Sequence, residues 1–140
     1  MEPLIDFLQH FDPYTTPTEV VTRNYAEYRR RVRAGENIKL TYNIRSTKTD
    51  VRRENRRRVI ALRGGKCCLC GFNALTVLQV HHKRPVESGG SNDLRNYAVL
   101  CPNCHVMLHC ARDHGNPEDY KHAFKSDQIY KRFESLVNYR

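Results

Sequence analysis

No apolar run in this chain of 140 residues approaches the ~20 that a membrane span needs. Basic residues are missing from the start. Residues 1–20 hold four acids (Glu2, Asp6, Asp12, Glu19) and no Lys or Arg. A secretory signal needs a positively charged leading region, so "MEPLIDFLQHFDPY" is not expected to be one. No internal repeat or low-complexity tract is visible. The expectation is an intracellular, cytoplasmic protein in a reducing compartment, with no membrane partner. Six cysteines there point to metal or catalysis rather than disulfides.

Acids are scarce where bases are dense. Residues 21–66 carry fifteen Lys/Arg against four acids, whereas residues 67–140 carry nine against seven. Most of the net charge of +9 therefore precedes the first cysteine. A concentration of that kind is the footprint of a polyanion-binding surface, nucleic acid above all.

Helical periodicity is expected over residues 4–11, where "LIDFLQHF" is followed by Pro13 and Pro17. A second helix follows to Gly35, capped by Thr16 or Thr18, with Val20, Val21, Tyr25, Tyr28 and Val32 near one face. Residues 36–48 read as extended or loop. A third helix runs from about Thr49 to Arg63, with Val51, Val59 and Leu62 on one face, and Gly64-Gly65 ends it. After that the pattern shortens. "KCCLCGF" is a tight turn, "LTVLQVHH" a strand, "ESGGSNDLRN" a loop and "YAVL" a second strand. "CPNCHVMLHCARDH" opens with Pro at a first helical turn. One or two helices follow Gly115-Asn116-Pro117, with Tyr130, Phe133, Leu136 and Val137 as a packing stripe.

Cys67-x-x-Cys70 and Cys101-x-x-Cys104 form two knuckles whose four thiolates can close a tetrahedral structural zinc site. Cys68 is a poorer partner for Cys70 because Cys-x-Cys has a worse bite. Cys68 and Cys110 have no partner by spacing and read as packing residues. A closed site of this kind holds a small domain together but does no chemistry.

The histidines lie between and beside the knuckles. His105 and His109 are four apart on a helix and so share a face. The strand carrying His81-His82 is tied close to them through Cys70 and Cys101. A second metal held by His81, His105 and His109 follows, with open positions for water and substrate. Neighbours on a strand point to opposite faces, so one member of the doublet is left free as a general base.

The stretch "CLCG…LQVHHKRPVESGGSNDLRNYAVLCPNCHVMLH" resembles the HNH endonuclease family, of the ββα-metal type with an embedded four-cysteine zinc site. The likeness covers about residues 66–110. It rests on the paired knuckles, the doublet, Gly89-Gly90, Asn92-Asp93-Leu94-x-Asn96 and Leu100-Cys101-Pro102-x-x-His105. The doublet with His-x-x-x-His is similar to that of nuclease colicins. The resemblance implies that His82 is the general base and that His81, where many relatives carry Asp, is a metal ligand. Asn96 braces the loop holding the base, His105 is the final ligand, and His109 is the additional colicin-like one. A neutral histidine triad favours Zn²⁺, Ni²⁺ or Mn²⁺, with Mg²⁺ also a candidate working ion.

The expected fold class is α+β: a small ββα-metal core over residues 64–114, a helical Arg-rich extension over 1–63 and a helical extension over 115–140. The expected activity is metal-dependent DNA hydrolysis in restriction, homing or phage DNA processing. The rivals are a non-catalytic, zinc-stabilised nucleic-acid-binding module and a nonspecific toxin-like nuclease. Arg52, Arg53, Arg56, Arg57 and Arg58 are expected to contact DNA phosphates. A homodimer would supply two cuts on a duplex.

Overall fold

A computed structural model describes residues 2–44 and 49–139. The segment expected to be extended or loop, 36–48, is described only to Ile44; its remainder lies outside the described residues. The helices are α1 (Pro3–His10), α2 (Thr18–Arg33), α3 (Thr49–Leu62), α4 (Pro102–Asp113) and α5 (Asp127–Val137). Strands β1 (Gln79–His82) and β2 (Tyr97–Leu100) form an antiparallel pair, in the register Gln79–Leu100 through His82–Tyr97. The architecture is α+β, with the ββα unit of β1, β2 and α4 enclosed by helices from both ends of the chain.

Local chemistry explains the ends of these elements. Pro3 and Pro102 occupy first helical positions, where a missing N–H costs nothing. Entry to α2 is set by Pro17, whose carbonyl accepts from Val20 and Val21. Neither Thr16 nor Thr18 caps it, because Pro17 itself stands at the cap and Thr18 is already helical. Gly64 and Gly65 end α3 with positive φ (+88° and +69°), a conformation that costs glycine nothing. Gly65 N–H closes the turn on Ile60 O at 2.9 Å.

Val59 and Leu62 face the core as expected, joined by Ile60. Val51, expected on the same face, is instead 39% exposed. The apolar run before the doublet is shorter as a strand than expected. Leu75–Val77 is a 3₁₀ turn, since β2 reaches back only to Gln79 before Cys101 leaves the ladder.

One hydrophobic core joins Leu8 of the first helix and Phe11 just after it, Leu40 and Tyr42, the strands, α4 and Phe133 of α5. A buried Leu or Phe contributes about 1.5–3 kcal/mol relative to exposure. Residues 40–42 clamp the loop between the strands: Leu94 donates to Leu40 O at 2.6 Å and Tyr42 to Asn92 O at 2.9 Å. On α5, Ser126 caps Ile129 N, and Tyr130, Phe133 and Leu136 are buried.

Candidate active site and metal centres

Cys67 and Cys70 come from the turn after α3, Cys101 lies between β2 and α4, and Cys104 lies in the first turn of α4. Their sulfurs lie within 4.8 Å of one another. Cys70 Sγ and Cys101 Sγ are 3.5 Å apart. Sulfurs on a zinc tetrahedron with ~2.3 Å bonds would be about 3.8 Å apart, so the spacing fits a tetrahedral ion. Cys67 and Cys104 share a hydrogen bond that draws the Cys67 thiol down to about 4 and pushes the Cys104 thiol up. A metal entering the cluster displaces that proton. Cys101 also accepts from Cys104 N at 3.4 Å as the cap of α4. Cys68 and Cys110 stand outside the cluster, and burial pushes the Cys68 thiol up to about 11.

His81, His105 and His109 form a second cluster with ring nitrogens inside the same 4.8 Å limit. His81 is 3% exposed, His105 half-buried and His109 exposed, so the cluster opens to solvent on the α4 side. His105 Nε2 and His109 Nε2 face each other at 3.0 Å. Behind His105, Nδ1 lies 2.5 Å from Gln79 Oε1. A carboxamide oxygen only accepts, so Nδ1 carries the proton and Nε2 keeps its lone pair toward the cluster. His81 Nε2 meets Arg112 Nη1 at 3.5 Å. A guanidinium only donates, so that nitrogen also keeps its lone pair. Burial, then the neighbouring His105, His109 and Arg112, holds His81 down to about 3, and burial lowers His105. Both are neutral donors at neutral pH, the form a metal requires.

The strand splits the doublet as expected. His82 is outside the cluster, with its ring edge-on to Tyr97 at 4.8 Å. Its Nε2 lies 3.1 Å from Asn92 Oδ1. That oxygen requires the proton on Nε2, which leaves Nδ1 as an acceptor. Tyr97 OH donates to Tyr42 O at 2.7 Å and lies 3.1 Å from the same Asn92 oxygen. Asn96 is buried and spans the loop. Its Oδ1 accepts from Arg84 N (2.9 Å), and its Nδ2 donates to Arg84 O (3.0 Å) and Ser91 O (2.8 Å). A Cβ on Gly90 would stand 1.8 Å from Arg84 O, so only glycine lets the loop fold this tightly.

Of the arginines on α3, Arg52, Arg53 and Arg57 are exposed and Arg56 is half-buried. Arg57 stacks over Tyr14, 4.5 Å from the ring centre. Arg58 is turned inward. It donates to Phe11 O (2.8 Å), Asn55 Oδ1 (2.9 Å) and Glu54 Oε1 (2.9 Å), fastening the end of α1 to α3.

Three contributors escaped the sequence reading. Gln79 and Arg112 were within its reach. Gln79 is two residues before His81 on the same strand face, and Arg112 is one helical turn after His109. Asn92 stood in the motif that carries the resemblance, but spacing gave it no role, because its contact with His82 crosses the hairpin.

A family model described as HNH endonuclease matches residues 67–117. The type IV methyl-directed restriction enzyme EcoKMcrA of Escherichia coli (strain K12) is 41% identical over 56 residues, covering 35% of this chain and 20% of that protein. Anaredoxin of Nostoc sp. (strain PCC 7120 / SAG 25.82 / UTEX 2576) is 33% identical over 57 residues, covering 41% of this chain and 74% of that protein. The chain thus spans about a fifth of the length of the first relative and about three quarters of the second. No solved structure matches the chain. The hairpin, the knuckles and the histidines of α4 lie within the matched stretch, and the chain belongs to the HNH endonuclease family.

Proposed function

We propose that this protein is a metal-dependent DNA endonuclease acting inside the cell in restriction, homing or phage DNA processing. The observation that carries the reading is the cluster of His81, His105 and His109, three nitrogen donors in a group that opens to solvent at His109, beside a fourth histidine outside the cluster. The restriction enzyme among the relatives favours restriction among the three roles.

Cys67, Cys70, Cys101 and Cys104 hold a structural Zn²⁺. His81, His105 and His109 hold a divalent ion (Zn²⁺, Ni²⁺, Mn²⁺ or Mg²⁺), which when bound supplies positive charge to the phosphate and the departing oxygen. His82 Nδ1 takes a proton from water, whose oxygen forms the new bond to phosphorus as the bond to the 3′ oxygen breaks, and the departing 3′ oxygen takes a proton from solvent water. The products are 5′-phosphate and 3′-hydroxyl ends. Asn96 keeps the loop behind His82 closed. Residues 64–114 are the nuclease unit, and 1–63 and 115–140 are extensions packed on it. Arg52, Arg53, Arg56 and Arg57 contact backbone phosphates, while Arg58 serves them by fixing their helix. A homodimer would place two such units on a duplex.

The test is supercoiled plasmid incubated with the protein and with His82→Ala, with Mg²⁺, Mn²⁺ or Ni²⁺ and with EDTA. Metal-dependent cleavage lost in the variant is expected. DNA binding without cleavage by the wild type would leave the non-catalytic module standing instead. A smear of products rather than discrete bands would favour the nonspecific nuclease.

A further inference from the structure

A cavity of about 860 Å³, lined by none of the clustered histidines, lies between α2, the end of α3, the first knuckle, β2 and α5. Five cationic side chains line it: Arg29, Arg63, Lys66, Lys83 and Arg132. No Asp or Glu does. Among the described residues, no ion pair includes any of the five, although Arg30 and Arg31, beside Arg29, are both paired with carboxylates. Two of them have structural duties. Arg63 donates to Tyr25 OH (3.1 Å) and Leu94 O (2.8 Å), and Arg132 to Cys68 O (2.6 Å). Arg29 lies over the Tyr25 ring at 5.8 Å. Lys83 is half-buried, where an unpaired charge is costly.

Cys67 and Cys70 of the cysteine cluster also line the cavity, but the cluster would not balance the set. Four thiolates around a divalent ion would carry a net charge of minus two, which leaves an excess of three. The size suits a ligand of one or two nucleotides. Position supplies the rest. Tyr97 both lines the cavity and meets the His82 ring.

We infer that this cavity receives backbone phosphate of the DNA strand on the His82 side of the hairpin, a second phosphate site distinct from the arginines of α3. The inference rests on the proposed nuclease reading. Its ligand is phosphodiester DNA rather than a free phosphate compound, because the cavity is joined through Tyr97 to the residue assigned to activate the attacking water.

The test uses the full, metal-loaded chain carrying His82→Ala, so that DNA is bound and not cut. Affinity for a short duplex is measured by fluorescence anisotropy over a range of salt. Substitutions are Arg29→Ala, Lys66→Ala and Lys83→Met, with Lys125→Ala on the surface outside the cavity as the control. Each neutralised phosphate contact lowers the slope of log K against log salt by about 0.9. Expected are a slope reduced by about one in each cavity variant, by about two in Arg29→Ala/Lys66→Ala, and unchanged in Lys125→Ala. Arg29 and Lys66 are exposed, so those two variants report even if Lys83→Met fails to fold.

Wild-type slopes in the cavity variants overturn the inference while leaving the nuclease reading intact. An equal fall in Lys125→Ala also overturns it, as general screening. Lost metal content with an unchanged slope would assign the cations to balancing the thiolates. Binding of inorganic phosphate that these variants abolish, with the DNA slope unchanged, would assign the cavity to a free phosphate compound. Failure of the parent chain to bind DNA at all removes both readings.

Discussion

Gln79 Oε1 stands 2.5 Å from His105 Nδ1, and this contact decides which nitrogen of His105 faces the cluster. Partners behind a metal ligand are commonly worth 10–100-fold in metal affinity. Gln79→Ala should therefore weaken Mn²⁺ or Ni²⁺ binding at the histidine cluster by about that factor. Gln79→Glu should preserve it. Calorimetric titration with the cysteine site already loaded separates the two; equal affinities for Gln79→Ala and wild type would refute the role.

The split doublet predicts two different failures. His81→Ala should lose metal at the histidine cluster, and cleavage with it. His82→Ala should bind metal and DNA as the wild type does while the rate of cleavage falls by about 10²–10⁴-fold, the span of general-base catalysis. Metal titration, anisotropy and plasmid nicking on both variants give six readings, and loss of metal by His82→Ala would break the assignment.

Removing metal from the cysteine cluster should unfold the ββα unit. Cys101→Ala is the most severe case, since it removes a cluster thiol and the cap of α4 together. Cys110→Ala, outside the cluster, should keep wild-type metal content. Metal analysis with far-UV circular dichroism distinguishes them, and a folded, metal-loaded Cys101→Ala would be decisive against this account of the site.

Acid should destabilise protein whose histidine cluster is empty. His81 titrates at about 3 when folded and near 6.5 when unfolded. Between those values the unfolded chain holds the extra proton, so stability falls as pH falls through that window. From pH 7.5 to 5.5 the loss attributable to His81 is about 1 kcal/mol. Urea midpoints of wild type and His81→Gln should converge as pH falls; parallel curves would remove the effect.

Arg57 and Arg58 are neighbours with opposite roles. Arg58→Ala should lower stability by about 1–3 kcal/mol, because Phe11 O loses its partner and Glu54 its ion pair. Arg57→Ala should leave the melting temperature unchanged and lower the salt slope of DNA binding by about one. A thermal melt and a salt titration on each variant check the contrast.

Much of this was legible because it is local. Cys-x-x-Cys spacing, the four-residue step from His105 to His109 and the alternation of His81 and His82 each follow from the geometry of one element. Helix ends at Gly35 and Gly64-Gly65 were readable for the same reason. What escaped depends on contacts far apart in the chain. The run of arginines in α3 looks uniform, yet Arg58 turns inward because Phe11, forty-seven positions earlier, presents a bare carbonyl. The clamp of residues 40–42 on the loop at 92–94 has no periodic pattern to announce it. Asn92 reaches His82 only once the hairpin has closed. Val51 had the right period for the core, but the core ends before its turn.

The cap at Cys101 has a consequence for assembly. The first turn of α4 carries a thiol of the cysteine cluster, and His105 and His109 follow on the same helix. An ion in the cysteine cluster would thus set the rotational phase at which His105 and His109 emerge, as a key sets a shaft. On the proposed reading the two clusters could not be loaded in either order with equal effect: a chain lacking the cysteine ion would have all its histidines and no place where they meet.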